Sequence, residues 1–82
     1  MVTFYVTLSS KERLISLVNQ LNKLDFNVDA YIGHYILDAK SILGMLGIGL
    51  GKRIMLKAHT EDDSFLLSEL GTLVEKTLDR AG

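Results

Sequence analysis

Cysteine is absent from the 82 residues, so neither a disulfide frame nor a thiolate metal site can staple the chain. No run approaches the ~18 apolar residues that a membrane-spanning helix needs. The opening MVTFYVTL has neither the basic start nor the small-residue cleavage site of a signal peptide. The cytoplasm is therefore the expected compartment, with no membrane partner. An excess of one charge is missing too. Nine basic and ten acidic side chains leave a net charge of -1, and the densest basic cluster is only Lys52, Arg53 and Lys57. Nucleic acid is usually bound through clustered Lys and Arg on a basic background, so it is not an expected partner.

What the chain does have is apolar material. Hydrophobic residues make up 48% of it, ample for one core. A chain of this length buries only ~60–65% of the surface its unfolded form exposes. Residues 1–82 are read as a single domain held by packing, without repeat, linker or low-complexity segment.

The stretch Asp38 to Gly51, DAKSILGMLGIGLG, organises the rest. Ser41 is an N-cap candidate, and the helix behind it runs for about two turns of ~3.6 residues before the glycines break it. Ile42, Leu43, Met45 and Leu46 leave that helix no polar side. One short helix cannot turn every face to a single sheet, so one side should stay open. Residues three and four apart are neighbours on a helix, which groups Ile42, Leu43 and Leu46 as an exposed patch and leaves Met45 as the anchor.

Around this stretch the periodicities alternate. Val2, Phe4, Val6 and Leu8 interleave with Thr3, Tyr5 and Thr7, the period-two pattern of a half-buried strand. Ser9 with Glu12 three residues on predicts a capping box and a helix start. The helix then carries Leu14, Val18, Leu21 and Leu24 inward, widened by Ile15 and Leu17. Asn19, Gln20, Asn22 and Lys23 form its wet face, and it should end near Leu24 or Asp25. Val28, Ala30 and Ile32 form a second strand, and Gly33-His34 a two-residue hairpin turn with Gly at its first central position. The return strand, Tyr35 to Ala39, points Leu37 and Ala39 to the core. Ile54, Leu56 and Ala58 make a fourth strand. Thr60 is expected to cap a last helix, with Glu61, Asp62 and Asp63 at its positive end. Leu66, Leu70, Leu73, Val74 and Thr77 are its inner stripe, and Lys76 and Arg80 favour its negative end.

The order strand, helix, strand, strand, short helix, strand, helix predicts an α+β fold. It is an open-faced β-sandwich, a four-stranded antiparallel sheet covered on one face by three helices.

Several chemistries are excluded on the residues. A phosphate loop ending at Gly51-Lys52 would need glycine at Leu46 and Ser or Thr at Arg53, and neither is there. No G-x-G-x-x-G follows a strand and opens a helix. A metal would need three or four converging ligands, whereas His34 and His59 lie in a turn and at a strand end. No metal and no other cofactor is expected. Glu61, Asp62 and Asp63 are explained more simply as helix-terminus charges than as acid-base catalysts.

The segment order, and above all AKSILGMLGIGLGK followed by a strand and a helix, resembles HPr, the histidine-containing phosphocarrier of the bacterial sugar phosphotransferase system. The resemblance covers nearly the whole chain and is most specific from Asp38 to Leu56. Lys40-Ser41-Ile42 and Gly44 match the family's regulatory motif K-S-I-M-G, with Leu43 in the methionine's place. The resemblance implies that Ser41 stands where a kinase phosphorylates many Gram-positive HPr proteins. It further implies that Ile42, Leu43 and Leu46 stand where the family docks on enzyme I and on a transcription regulator, and that Met45 and Ile48 face inward.

The first helix departs from that pattern. The family opens it with G-L-H-A-R-P, whose histidine carries the phosphoryl group and whose arginine steadies it. Here Leu8-Ser9-Ser10-Lys11-Glu12-Arg13 puts Ser10 at the histidine and Glu12 at the arginine, and proline is absent from the chain. A serine hydroxyl is a poor substitute for a neutral imidazole nitrogen near neutral pH, and a carboxylate beside it would repel the phosphoryl group. A catabolite-repression relative of HPr likewise lacks the histidine and keeps the serine. The expected role is a non-catalytic, regulatory HPr-like domain that binds a protein partner. Two other readings stand beside it: a phosphocarrier with an unrecognised acceptor such as His34 or Ser10, and a homo-oligomer that pairs its own patch.

Overall fold

The computed structural model describes residues 1–74. The expectations for Lys76, Thr77 and Arg80 lie outside the described residues. Four strands, β1 (Val2–Thr7), β2 (Val28–Ile32), β3 (Tyr35–Asp38) and β4 (Arg53–Ala58), form one sheet in the order β1-β4-β2-β3. All three pairings are antiparallel. The first helix, α1 (Lys11–Leu21), follows β1, and the short helix α2 (Ile42–Leu46) joins β3 to β4.

Alternation decides the two faces of the sheet. Phe4, Val6, Val28, Ala30, Ile54, Leu56 and Ala58 point inward and are buried. The helices cover that face with Leu14, Leu17, Val18, Leu21 and Met45 in one contiguous core. The other face is open. Across it the register aligns Tyr5, Met55, Tyr31 and Ile36 in a row. Arg53 lies 4.0 Å above the Tyr5 ring and Lys57 5.0 Å above Tyr31.

Gly33 takes φ +58 while His34 stays at negative φ, so the hairpin closes through a type II′ turn. That is the conformation expected from glycine at the first central position.

The return strand ends at Asp38, one residue short of Ala39, and three helix boundaries differ from the sequence reading. The cap of α1 is Ser10, not Ser9: its hydroxyl accepts the Arg13 N–H at 3.2 Å. A start one residue later leaves Glu12 out of register for a capping box. The helix also stops at Leu21 instead of Leu24 or Asp25. There the backbone tightens, Lys23 N–H donating to the Gln20 carbonyl and Leu24 N–H to that of Leu21, while the Asn22 side-chain amide donates to the Val18 and Lys40 carbonyls at 2.9 and 3.0 Å.

The third difference is at the last helical segment. Thr60 does not cap it. Its hydroxyl accepts the Asp62 N–H at 3.2 Å, and Asp62 in turn accepts the Ser64 N–H at 2.9 Å. These two short side-chain turns compete with helix and delay its start. The Ser64 bonds hold the Asp62 carboxyl below its ordinary pKa. The chain then makes a wide π-helical turn, Leu66–Leu70, and a 3-10 turn, Gly71–Leu73. Phe65 and Leu70 are buried there, and Leu66, Leu73 and Val74 pack at the margin. Phe65 meets Phe4 and Phe26 edge-on, at centroid distances of 5.6 and 5.2 Å.

Candidate functional site

Two helix starts carry the residues singled out in the sequence. At α1, the chain enters from Leu8, whose carbonyl accepts the Gly51 N–H at 2.7 Å. Gly51 has φ +86, a conformation that any other residue adopts at a cost, so the glycine run lets the α2–β4 loop come beside the entrance to α1. The Ser10 hydroxyl there is engaged as a cap. Lys11 and Glu12 point to solvent. Arg13 reaches across to donate to the Thr72 carbonyl at 3.1 Å, and so ties α1 to the last described turn. Sequence reasoning missed this contact, for which no local pattern gives a signal.

His34 is exposed in the β2–β3 turn. His59 lies just beyond β4, at the end of the sheet where Val2 pairs Ala58, whereas α1 leaves from the other end, where Thr7 pairs Arg53. The His59 Nε2 stands 2.8 Å from Asp29 Oδ2. Neither histidine joins Ser10, and among the described residues no three His, Cys, Asp or Glu side chains converge to hold a metal.

At α2 the cap is the expected one. The Ser41 hydroxyl accepts the Gly44 N–H at 3.1 Å. A Cβ at Gly44 would stand 3.4 Å from the Ser41 oxygen, in ordinary contact with the cap. The residue before the cap is clamped at three points. The Lys40 ammonium donates to the Leu24 carbonyl at 2.7 Å, its N–H to Asp38 Oδ1 at 2.9 Å, and its carbonyl accepts from Asn22. The end of α1 thereby fixes the start of α2. Asn22, placed by the sequence on the wet face, is the bridge.

The four apolar residues of α2 divide sharply. Met45 is fully buried, while Leu43 is 83% exposed and Ile42 and Leu46 are each 37% exposed. Ile48 packs on the core margin. Leu43 also borders an apolar groove of about 360 Å³ with Tyr35, Leu37 and Ile48.

No protein-family model and no curated protein matches the sequence. Solved structures do match. The phosphocarrier protein HPr from Bacillus anthracis str. Ames superposes with a TM-score of 0.67 at 22% identity, over 90% of this chain and 96% of that one. HPr-C-His from Thermoanaerobacter tengcongensis superposes with a TM-score of 0.68 at 21% identity, over 94% and 97%. At these identities the likeness is one of fold. The chain has the HPr fold, a four-stranded antiparallel open sheet with three helical segments.

Proposed function

We propose that this chain is a non-catalytic HPr-like domain of the cytoplasm, tied to bacterial sugar uptake and carbon control, that works by binding a protein partner. The observation that carries this reading is the division of α2: Met45 holds the helix down while Ile42, Leu43 and Leu46 face solvent. Contiguous exposed apolar residues on a small domain mark an interaction surface. Phosphoryl relay is not assigned to it, because Ser10 stands where the resemblance would place the acceptor imidazole. Its hydroxyl is used by the helix cap, and the guanidinium of Arg13 beside it is directed to the Thr72 carbonyl.

Regulation is assigned to Ser41. A phosphate on its oxygen would meet the backbone amides at the start of α2, among them the Gly44 N–H that the hydroxyl already accepts. Treatment with an HPr kinase and ATP should place phosphate on Ser41. An unmodified Ser41, under conditions that modify an authentic HPr, would reject this part of the reading.

The binding role is tested by titrating the protein with enzyme I and with an HPr-dependent transcription regulator. One of them should bind, and Leu46→Asp should weaken that binding at least about tenfold, about 1.4 kcal/mol. Enzyme I with labelled phosphoenolpyruvate should leave the protein unlabelled. Acid-labile phosphate on His34 or His59 would instead favour a phosphocarrier with a displaced acceptor.

A further inference from the structure

The outer edge of the sheet at β3 is unlike the rest of the surface. Ile32 and Tyr35 close the hairpin as a pair, and the Ala39 N–H bonds the Val28 carbonyl at 2.9 Å. The odd-numbered residues of β3 therefore spend their backbone groups on β2, and the even-numbered ones direct theirs outward. Asp38 has its carbonyl occupied by the Ser41 N–H at 3.0 Å. Ile36 keeps both its N–H and its C=O on the edge, with no partner among the described residues.

Edges are normally blunted by lysine, proline or a bulge. β3 has none of these, and its only charge is Asp38 at the end. Its side chains add apolar surface instead, with Tyr35 72% and Ile36 59% exposed. The opposite edge, β1, offers Thr3 and Thr7 as its exposed residues.

We propose that β3 pairs antiparallel with β3 of a second copy of this chain, about a two-fold axis through Ile36, to give a continuous eight-stranded sheet. That register is self-complementary. The two Ile36 residues exchange N–H and C=O. Each Tyr35 faces Leu37 of the other copy, at the mouth of the groove between β3 and α2 that Leu37 lines. Each His34 faces Asp38 of the other copy, an imidazole N–H donor against a carboxylate. One Asp38 oxygen already accepts the Lys40 N–H, which leaves the other for the histidine. On the open face the row Tyr5, Met55, Tyr31 and Ile36 runs on through Ile36 of the second copy into the same row reversed. The pairing uses a surface apart from Ile42 and Leu46 and meets the α2 patch only at Leu43, which borders the same groove.

A four-residue edge covers less than the ~1,200 Å² of a stable interface, so the dimer is a weak, concentration-dependent one. Sedimentation equilibrium should show reversible dimer at the highest concentrations. Ile36→Lys, which puts like charges at the axis, should raise its dissociation constant at least about tenfold, with an unchanged melting temperature and with Leu46→Asp left as dimeric as the natural chain. Because the chain has no cysteine, Ile36→Cys provides a second measurement that needs no loss of function. A short thiol cross-linker should join Ile36→Cys into dimers and leave Thr3→Cys monomeric. A protein that stays monomeric throughout would overturn the proposal. So would a dimer dissolved by Leu46→Asp and untouched by Ile36→Lys, or equal cross-linking at both cysteines.

Discussion

Ser10 and Ser41 do the same local work in different surroundings. Each has an extended backbone, caps a helix, and accepts the N–H of the residue three further on, at 3.2 and 3.1 Å. Beyond the cap the two sites part. Ser10 is followed by Lys11, Glu12 and Arg13, a polar turn whose one long reach ties down the Thr72 carbonyl. Ser41 is followed by apolar residues that face solvent, on a helix held by a single buried methionine. A serine cap is thus no mark of a site. What distinguishes the two is the neighbourhood: both starts are tied to other elements, α1 through Arg13 and α2 through Lys40 and Asn22, but only the second presents apolar surface outward.

The largest test of this contrast is Met45→Ala. Met45 is fully buried in the common core and is the only fully buried side chain in α2. Deleting it should cost ~2–5 kcal/mol, read as a lower denaturation midpoint. Phe65→Ala belongs to the same class, at ~3–5 kcal/mol, because its ring fills the angle between Phe4 and Phe26. A loss under about 1 kcal/mol at Met45 would mean that α2 is held by something other than its anchor.

The next test asks whether the two caps are equivalent. Ser10→Ala and Ser41→Ala should each cost ~1 kcal/mol. The double variant should lose about the sum, since the two caps share no partner. A cost confined to Ser10 would show that α2 keeps its place through the Lys40 and Asn22 clamp alone.

These results bear on how much was legible in the residues. The strands were, because β1 and β4 alternate cleanly, and the hairpin was, because Gly33 supplies the positive φ that its turn requires. At α2 the cap, the anchor and the exposed side followed from having one sheet to pack on. The exact start of α1 did not, since Ser9 and Ser10 are adjacent cap residues and Glu12 makes the wrong one attractive. Helix-like spacing of Leu66, Leu70 and Leu73 concealed the wide turn and the break at Gly71, whose φ is +53. There the deciding interactions are Thr60 and Asp62 bonding their own backbone and Phe65 seeking two distant rings. Neither shows in periodicity. The α1 tether from Arg13 and the Asn22 bridge are contacts between elements, and a reading by element cannot find them.

Arg13→Gln should have a smaller effect. The contact is exposed and of side chain to carbonyl type, so its loss should lower stability by no more than ~1 kcal/mol. Its larger signature should be local. Amide hydrogens from Leu66 to Leu73 should exchange faster while those of the sheet stay protected, because the tether secures that segment and not the core. Uniformly faster exchange would place Arg13 among the residues on which global folding depends.

The smallest stability change should come from Leu43→Ala. Leu43 is 83% exposed, so truncation removes little buried surface and leaves no cavity. The melting transition should move by no more than about 0.5 kcal/mol. Leu46→Ala, at 37% exposed, should lose somewhat more and still far less than Met45→Ala. The sharper content of this prediction is the sign of the mismatch between stability and binding. A core leucine loses both together, because the domain that would bind is unfolded. A contact leucine loses binding while its melt is unchanged. Leu43→Ala should therefore weaken association with enzyme I or the regulator, measured by calorimetry, against an unaltered thermal transition. Should the variant melt early, Leu43 is structural, and the outward side of α2 is not the surface on which the domain acts. Should it melt normally and bind as tightly as the natural chain, the patch is exposed but unused.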